Sequence, residues 1–169
     1  VDSAVGLVIS SRRREIPTDS TTGSLAPLEM TTTEPLRILG IDITTESRAE
    51  ILARLREWLM ERAPHQIVTV NPEMLVAAAR NDSSKTLLTR ADLCIADGAG
   101  ILFIARLLGL SQPERLTGVE LTDELCGLAA DLGRSVYLVG GDVGVAQLAA
   151  QELQRRHPSL RIAGAEAGI

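Results

Sequence analysis

The sequence predicts an α/β fold built on a mainly parallel sheet with helices on both faces. Two observations carry that prediction. Short apolar runs near 36–43, 66–70, 93–96, 135–139 and 160–163 alternate with longer stretches of helical periodicity. Most of those runs give way at once to Asn, Asp, Gly or Pro and then to a helix start, the punctuation of strand–turn–helix units. With 169 residues, 45% of them hydrophobic, the chain has enough apolar side chains for one core and too little length for two.

Residues 1–34 form a separate compositional zone. Arg12, Arg13 and Arg14 are followed by Pro17, Thr18, Ser20, Thr21, Thr22, Gly23 and Ser24. Such a mixture buries too little apolar surface to offset its ordering entropy, so the segment is expected to be a disordered tail, with the α/β domain covering 35–169. The arginine cluster is either a solvated charge run or a contact for acidic lipid headgroups.

Leu36, Ile38, Leu39, Ile41 and Ile43 predict a short strand or a hairpin arm. Ser47-Arg48-Ala49-Glu50 has the spacing of a capping box and opens a helix with Ile51, Leu52, Leu55, Trp58 and Leu59 on its apolar face. Ile67, Val68 and Val70 read as a buried strand, stopped by Asn71-Pro72 at the start of the next helix. Thr69 and Asn71 fall at the carboxyl end of that strand, the edge at which open α/β sheets take their ligands. Both are therefore candidate substrate contacts; equally, Asn71 can cap the helix and Thr69 can be strand filler. Met74 to Ala79 are expected to continue as a mostly buried helix, and Asp82 or Ser83 to cap a second one.

Leu93-Cys94-Ile95-Ala96 predicts the next strand, ending in Asp97-Gly98-Ala99-Gly100. Asp97 stands where a carboxylate faces the ligand edge of the sheet and where glycines let backbone approach closely. It is also placed to cap the helix from Ile101 to Leu108. A polar loop carrying Arg115 leads to Thr117-Gly118-Val119-Glu120, a second capping box, and to a helix that Gly133 stops. An arginine in such a loop matters if a phosphate is near, since guanidinium pairs with it bidentately.

Ser135 to Val139 form a strand running into Gly140-Gly141-Asp142-Val143-Gly144 and a helix from Val145. A glycine turn before a helix can seat a phosphate, and it can also be no more than a tight turn. The dinucleotide fingerprint fails because Val139 stands where its first glycine belongs. Leu160 to Ala163 make one more strand. The sum is Rossmann-like, with Thr69, Asn71, Asp97, Gly140, Gly141 and Arg115 able to converge on one cleft.

Composition narrows the chemistry further. A formal charge of −5 with one Trp, one Tyr and one Phe argues against nucleic acid as a partner. Cys94 and Cys126 form no metal or disulfide framework, and two buried thiols in a reducing cytoplasm are expected. No D-x-D pair and no His/Asp/Glu cluster offers a divalent cation a home, and no cofactor motif is present. No apolar run of spanning length and no signal core occurs, so a soluble intracellular protein is expected.

Four segments together carry a resemblance. Thr69-Val70-Asn71-Pro72-Glu73-Met74, Ala96-Asp97-Gly98-Ala99-Gly100, Glu114-Arg115-Leu116-Thr117-Gly118 and Val139-Gly140-Gly141 resemble, in order and spacing, the WecG/TagA/CpsF glycosyltransferases. The resemblance covers about 36–169. It implies inverting, metal-independent transfer of an N-acetylmannosamine-type sugar from a UDP-sugar donor to a polyprenyl-diphosphate-linked N-acetylglucosamine, as in teichoic acid or capsular and exopolysaccharide synthesis. It further implies that Asp97 is the general base, that Thr69 and Asn71 line the pocket, and that Arg115 meets charge on the departing diphosphate. The expected location is the cytoplasm, at the inner face of the plasma membrane. Members of that family continue with a further strand, a Pro-Lys/Arg-Gln-Glu segment and a basic C-terminal appendage, so the chain is expected to be a C-terminally truncated member. A second reading follows: a non-catalytic nucleotide-sugar-binding or interaction module. Unfinished sheet edges and uncovered helix faces would favour a homo-oligomer.

Overall fold

A computed structural model describes residues 6–10, 35–61, 63–110 and 112–168. In chain order the elements are β1 (Gly6–Ser10), β2 (Leu36–Ile38), β3 (Ile41–Ile43), α1 (Arg48–Met60), β4 (Ile67–Val70), α2 (Pro72–Arg80) and α3 (Asp82–Arg90). They continue with β5 (Leu93–Ala96), α4 (Ala99–Leu107), α5 (Gly118–Asp131), β6 (Ser135–Val139), α6 (Val145–Arg156) and β7 (Arg161–Glu166).

The fold is a Rossmann-like α/β arrangement in which parallel strand pairs form the centre. β4 and β5 pair in parallel from Ile67 opposite Leu93 to Val70 opposite Ala96. β6 and β7 pair in parallel with a bulge after Val136. The ladders form three groups, β1-β6-β7, β2-β3 and β4-β5, where the sequence suggested one continuous sheet. The antiparallel parts are the β2–β3 hairpin and β1, which lies along β6 with Gly6 opposite Val139 and Ser10 opposite Ser135. The hairpin turns on Leu39 and Gly40, both at positive φ (51° and 82°), the geometry of a tight type I′ connection. A backbone bond of 2.8 Å from the Thr44 N–H to the Cys94 carbonyl ties the hairpin to β5.

The reading of residues 1–34 as a tail did not include strand β1. Its Leu-Val-Ile core is a β-prone run diluted, in any wider window, by the arginines and threonines behind it. The other residues of 1–34, with the arginine cluster, lie outside the described residues.

Helices cover both faces of the β4–β5 pair because its side chains alternate. Leu93, Ile95 and Ile67 pack with Ile51 and Leu55 of α1 and with Leu121 and Leu125 of α5. Cys94, Ala96, Val68 and Val70 pack on the other face with Leu75, Ala78 and Leu88 of α2 and α3 and with Ile101 and Ala105 of α4. The far side of α5, at Cys126 and Ala129, joins Val136 and Leu138 of β6 and Ala146 and Ala150 of α6. α5 is thus the slab between the two parallel pairs. At the corner between α1 and β4, Trp58 stacks on His65 with ring centroids 4.2 Å apart and planes 6° from parallel.

Local signals placed most helix ends. Ser47 and Glu50 form the expected capping box of α1, and Thr117 and Glu120 that of α5. Gly133, at φ 62°, follows the end of α5 as expected. The cap of α3 is Asn81, whose Oδ1 accepts the Ser83 and Ser84 N–H groups at 2.8 and 3.2 Å, so the expectation of Asp82 or Ser83 was one or two residues late. Asparagine serves because its carbonyl reaches two amides while the backbone stays extended.

Both cysteines are buried and free. Burial pushes each thiol up to about 11, so at pH 8 the reactive thiolate is scarce. A thiol-specific chromogenic disulfide at pH 8 should leave both unmodified in the native protein and titrate two thiols once urea unfolds it.

Candidate functional site

The site is built where β4 and β5 end. Register sets Thr69 opposite Ile95, on the α5 side of the sheet. Asp97, two residues beyond Ile95, keeps that direction because its own N–H donates to the Val70 carbonyl at 2.8 Å and extends the ladder by one step. On the other flank of β5 the N–H of the fully buried Leu116 donates to the Ala96 carbonyl at 3.3 Å. The chain then turns into α5 beside Asp97.

Gly118, the first residue of α5, completes the arrangement. Its N–H donates to Asp97 Oδ2 at 3.2 Å. A β-carbon on Gly118 would lie 3.1 Å from Thr69 Oγ1 and 3.7 Å from Asp97 Oδ2. Thr69 and Asp97 thus flank the opening turn of α5, and a β-carbon there would press on the Thr69 hydroxyl and sit in contact with the Asp97 carboxylate. Asp97 does not cap α4, as its sequence position also allowed. The cap of α4 is Gly98, at φ 81°, with no side-chain bond to the helix. The carboxylate reaches across to α5 instead and keeps Oδ1 for other partners.

Asn71 takes the capping role for α2: its Oδ1 accepts the Met74 N–H at 2.9 Å. α4 packs tightly on this corner, since a β-carbon on Gly100 would run into the Pro72 ring. Three helix N-termini, those of α2, α4 and α5, therefore gather around one sheet edge, each presenting the positive end of its backbone dipole. Asn71→Ala is expected to cost about 1 kcal/mol through the lost cap. A lowered melting temperature with unchanged ligand affinity would mark Asn71 as structural only; a loss in both would make it a ligand contact as well.

Arg115 is exposed, on a loop fastened at two points. Leu116 holds it to β5, and Glu114 accepts the Arg48 N–H at the start of α1. The loop thus runs alongside Asp97. Glu120 is held below the usual carboxylate range, first by the Thr117 hydroxyl and amide and then by the nearby Arg115 and Arg48 charges. Gly140 and Gly141 end β6. The Gly140 N–H is committed to the Glu166 carbonyl at 3.0 Å, and the Gly141 carbonyl accepts the Gly168 N–H at 3.0 Å. Their described bonds close the β6–β7 edge. The structure thus gathers Thr69, Asn71 and Asp97 with the Arg115 loop, while the glycine turn serves the other strand pair.

Sequence reasoning passed over Gly118 as part of the site. The available signal was a glycine in the first turn of a good helix, where its conformational freedom is of little use and close approach is the remaining reason for it. Among the described residues, no group of three His, Cys, Asp or Glu side chains is placed to hold a metal ion, and no helix is long and apolar enough to cross a membrane.

An α/β domain with a carboxylate and a hydroxyl at adjoining strand ends, ringed by helix N-termini, has the frame of a ligand-binding open α/β protein. The sequence profile of the Glycosyl transferase WecG/TagA/CpsF family matches residues 36–169, and the chain belongs to that family. It is similar to proteins of Staphylococcus aureus strains NCTC 8325 / PS 47, COL and MSSA476, each named N-acetylglucosaminyldiphosphoundecaprenol N-acetyl-beta-D-mannosaminyltransferase. Identity to each is 27% over 137 residues, 80% of this chain and 54% of theirs. The chain thus spans about half the length of the curated relatives it matches.

Proposed function

We propose that this chain carries the cleft of an inverting, metal-independent glycosyltransferase. It moves an N-acetylmannosamine-type sugar from a UDP donor to a polyprenyl-diphosphate-linked N-acetylglucosamine, at the inner face of the plasma membrane. The observation that carries this reading is the position of Asp97: at the end of β5, beside Thr69, with Oδ2 anchored by Gly118. In this reading the carboxylate takes the proton of an acceptor hydroxyl as that oxygen attacks the anomeric carbon. The bond from that carbon to the diphosphate breaks, its electron pair leaves with UDP, and the configuration inverts. The helix N-termini and Arg115 meet the charge growing on the diphosphate. Thr69 and Asn71 line the pocket, and Gly140 and Gly141, on the other strand pair, stay candidates for a phosphate contact.

The test is release of UDP from UDP-N-acetylmannosamine by this chain, with and without a soluble lipid-diphosphate N-acetylglucosamine analogue. Release that depends on the acceptor is the expected result. Binding of UDP with no acceptor-dependent release would overturn it in favour of a nucleotide-sugar-binding module.

A further inference from the structure

The outward face of α4 is strongly apolar and open. Ile101 and Ala105 face the core at 0% exposure, and about 100° per residue turns Phe103 and Leu107 to the opposite side. Phe103 is 67% exposed, Leu107 74%, Leu108 59% and Leu110 42%. A cluster of this kind on a soluble surface marks an interaction site. Two further features say what it meets. Residues 98–113 contain no Asp or Glu and one arginine, Arg106, in a chain with 22 acidic residues and a net charge of −5. It is the longest run in the sequence without an acidic residue, and exposed Arg106 adds attraction for anionic headgroups. The other end of the same helix is the Asp97-Gly98 corner of the cleft. With 9 residues, α4 sets its exposed end about 14 Å from that corner.

We propose that Phe103, Leu107, Leu108 and Leu110, beside Arg106, form the surface that seats this chain on an anionic bilayer, with the cleft at the opposite end of α4. The proposal rests on the lipid-linked acceptor of the proposed function. The four side chains insert at the level of the headgroups and Arg106 stays among the phosphates.

The test is flotation with vesicles of phosphatidylglycerol and phosphatidylcholine in equal parts, against vesicles of phosphatidylcholine alone. The parent should float with the anionic vesicles. Phe103→Ser with Leu107→Ser should lower vesicle affinity about tenfold or more while leaving the urea midpoint unchanged, since both side chains already face water. Arg106→Glu, which keeps the apolar face, should lose binding to anionic vesicles only. A parent that stays unbound, or a double variant that floats as the parent does, overturns the proposal. So does a double variant that floats normally but turns from oligomer to monomer in light scattering, which would make the face a contact between copies. Transfer separates the two readings. The double variant should match the parent on a water-soluble acceptor and fall behind on an acceptor held in vesicles. If neither protein transfers sugar to either acceptor while flotation still depends on α4, the glycosyltransferase reading falls and the docking surface stands.

Discussion

Asp97→Asn is expected to lower UDP release in the presence of both substrates by about 10²- to 10⁴-fold, the range of a lost general base. Affinity for UDP should stay within a few-fold of the parent. The substitution isolates the chemistry because an asparagine side chain still offers an oxygen to the Gly118 N–H, the 3.2 Å bond that seats this residue against α5. What disappears is the charge and its capacity to take a proton. Steady-state turnover and calorimetric UDP binding on the same preparation decide the matter. Equal turnover in the variant and the parent would remove Asp97 from the base role and leave it as a strap between β5 and α5.

The second large effect is structural. Ile95 is fully buried, opposite Thr69 in the ladder, and packed among Ile51, Leu55, Leu116, Leu121 and Leu125. Ile95→Ala removes the side chain on which α1, α5 and the Leu116 loop meet. Its expected cost is about 2–5 kcal/mol, made of lost transfer energy and the cavity left behind. Urea unfolding should show a lower midpoint at an unchanged slope. The loss should exceed that of any single substitution on the exposed face of α4, where changes within about 0.5 kcal/mol are expected. An Ile95→Ala midpoint equal to that of the parent would mean that the layer between the two faces is held elsewhere.

The elements that sequence made legible are those whose cause is local. A capping box needs four consecutive residues, and both Ser47–Glu50 and Thr117–Glu120 were readable and are present. Apolar runs marked β4 and β5, and Pro72 marked the start of α2. The parts that escaped depend on distant pairs. Asp97 and Gly118 are 21 residues apart, so nothing near Asp97 says that its carboxylate bridges to another helix rather than capping its own. β1 exists as a strand beside β6, more than a hundred residues away, and its own composition gives little hint of a partner. Asn71 was left open between cap and ligand contact. The bond to Met74 establishes the first role, and it uses the carbonyl oxygen while the amide nitrogen remains a donor.

The Trp58–His65 stack gives the molecule a built-in optical gauge. Trp58 is the one tryptophan in the chain, so all indole emission comes from the joint where α1 hands over to β4, the strand that carries Thr69. An indole covered on one face by an imidazole is partly screened from solvent relaxation; once that joint opens, its emission should move to longer wavelength. Tyr137, on β6 in the other strand pair, absorbs and emits at shorter wavelength. The two halves of this α/β domain can therefore be followed separately, without labels, as the chain unfolds or takes up a ligand.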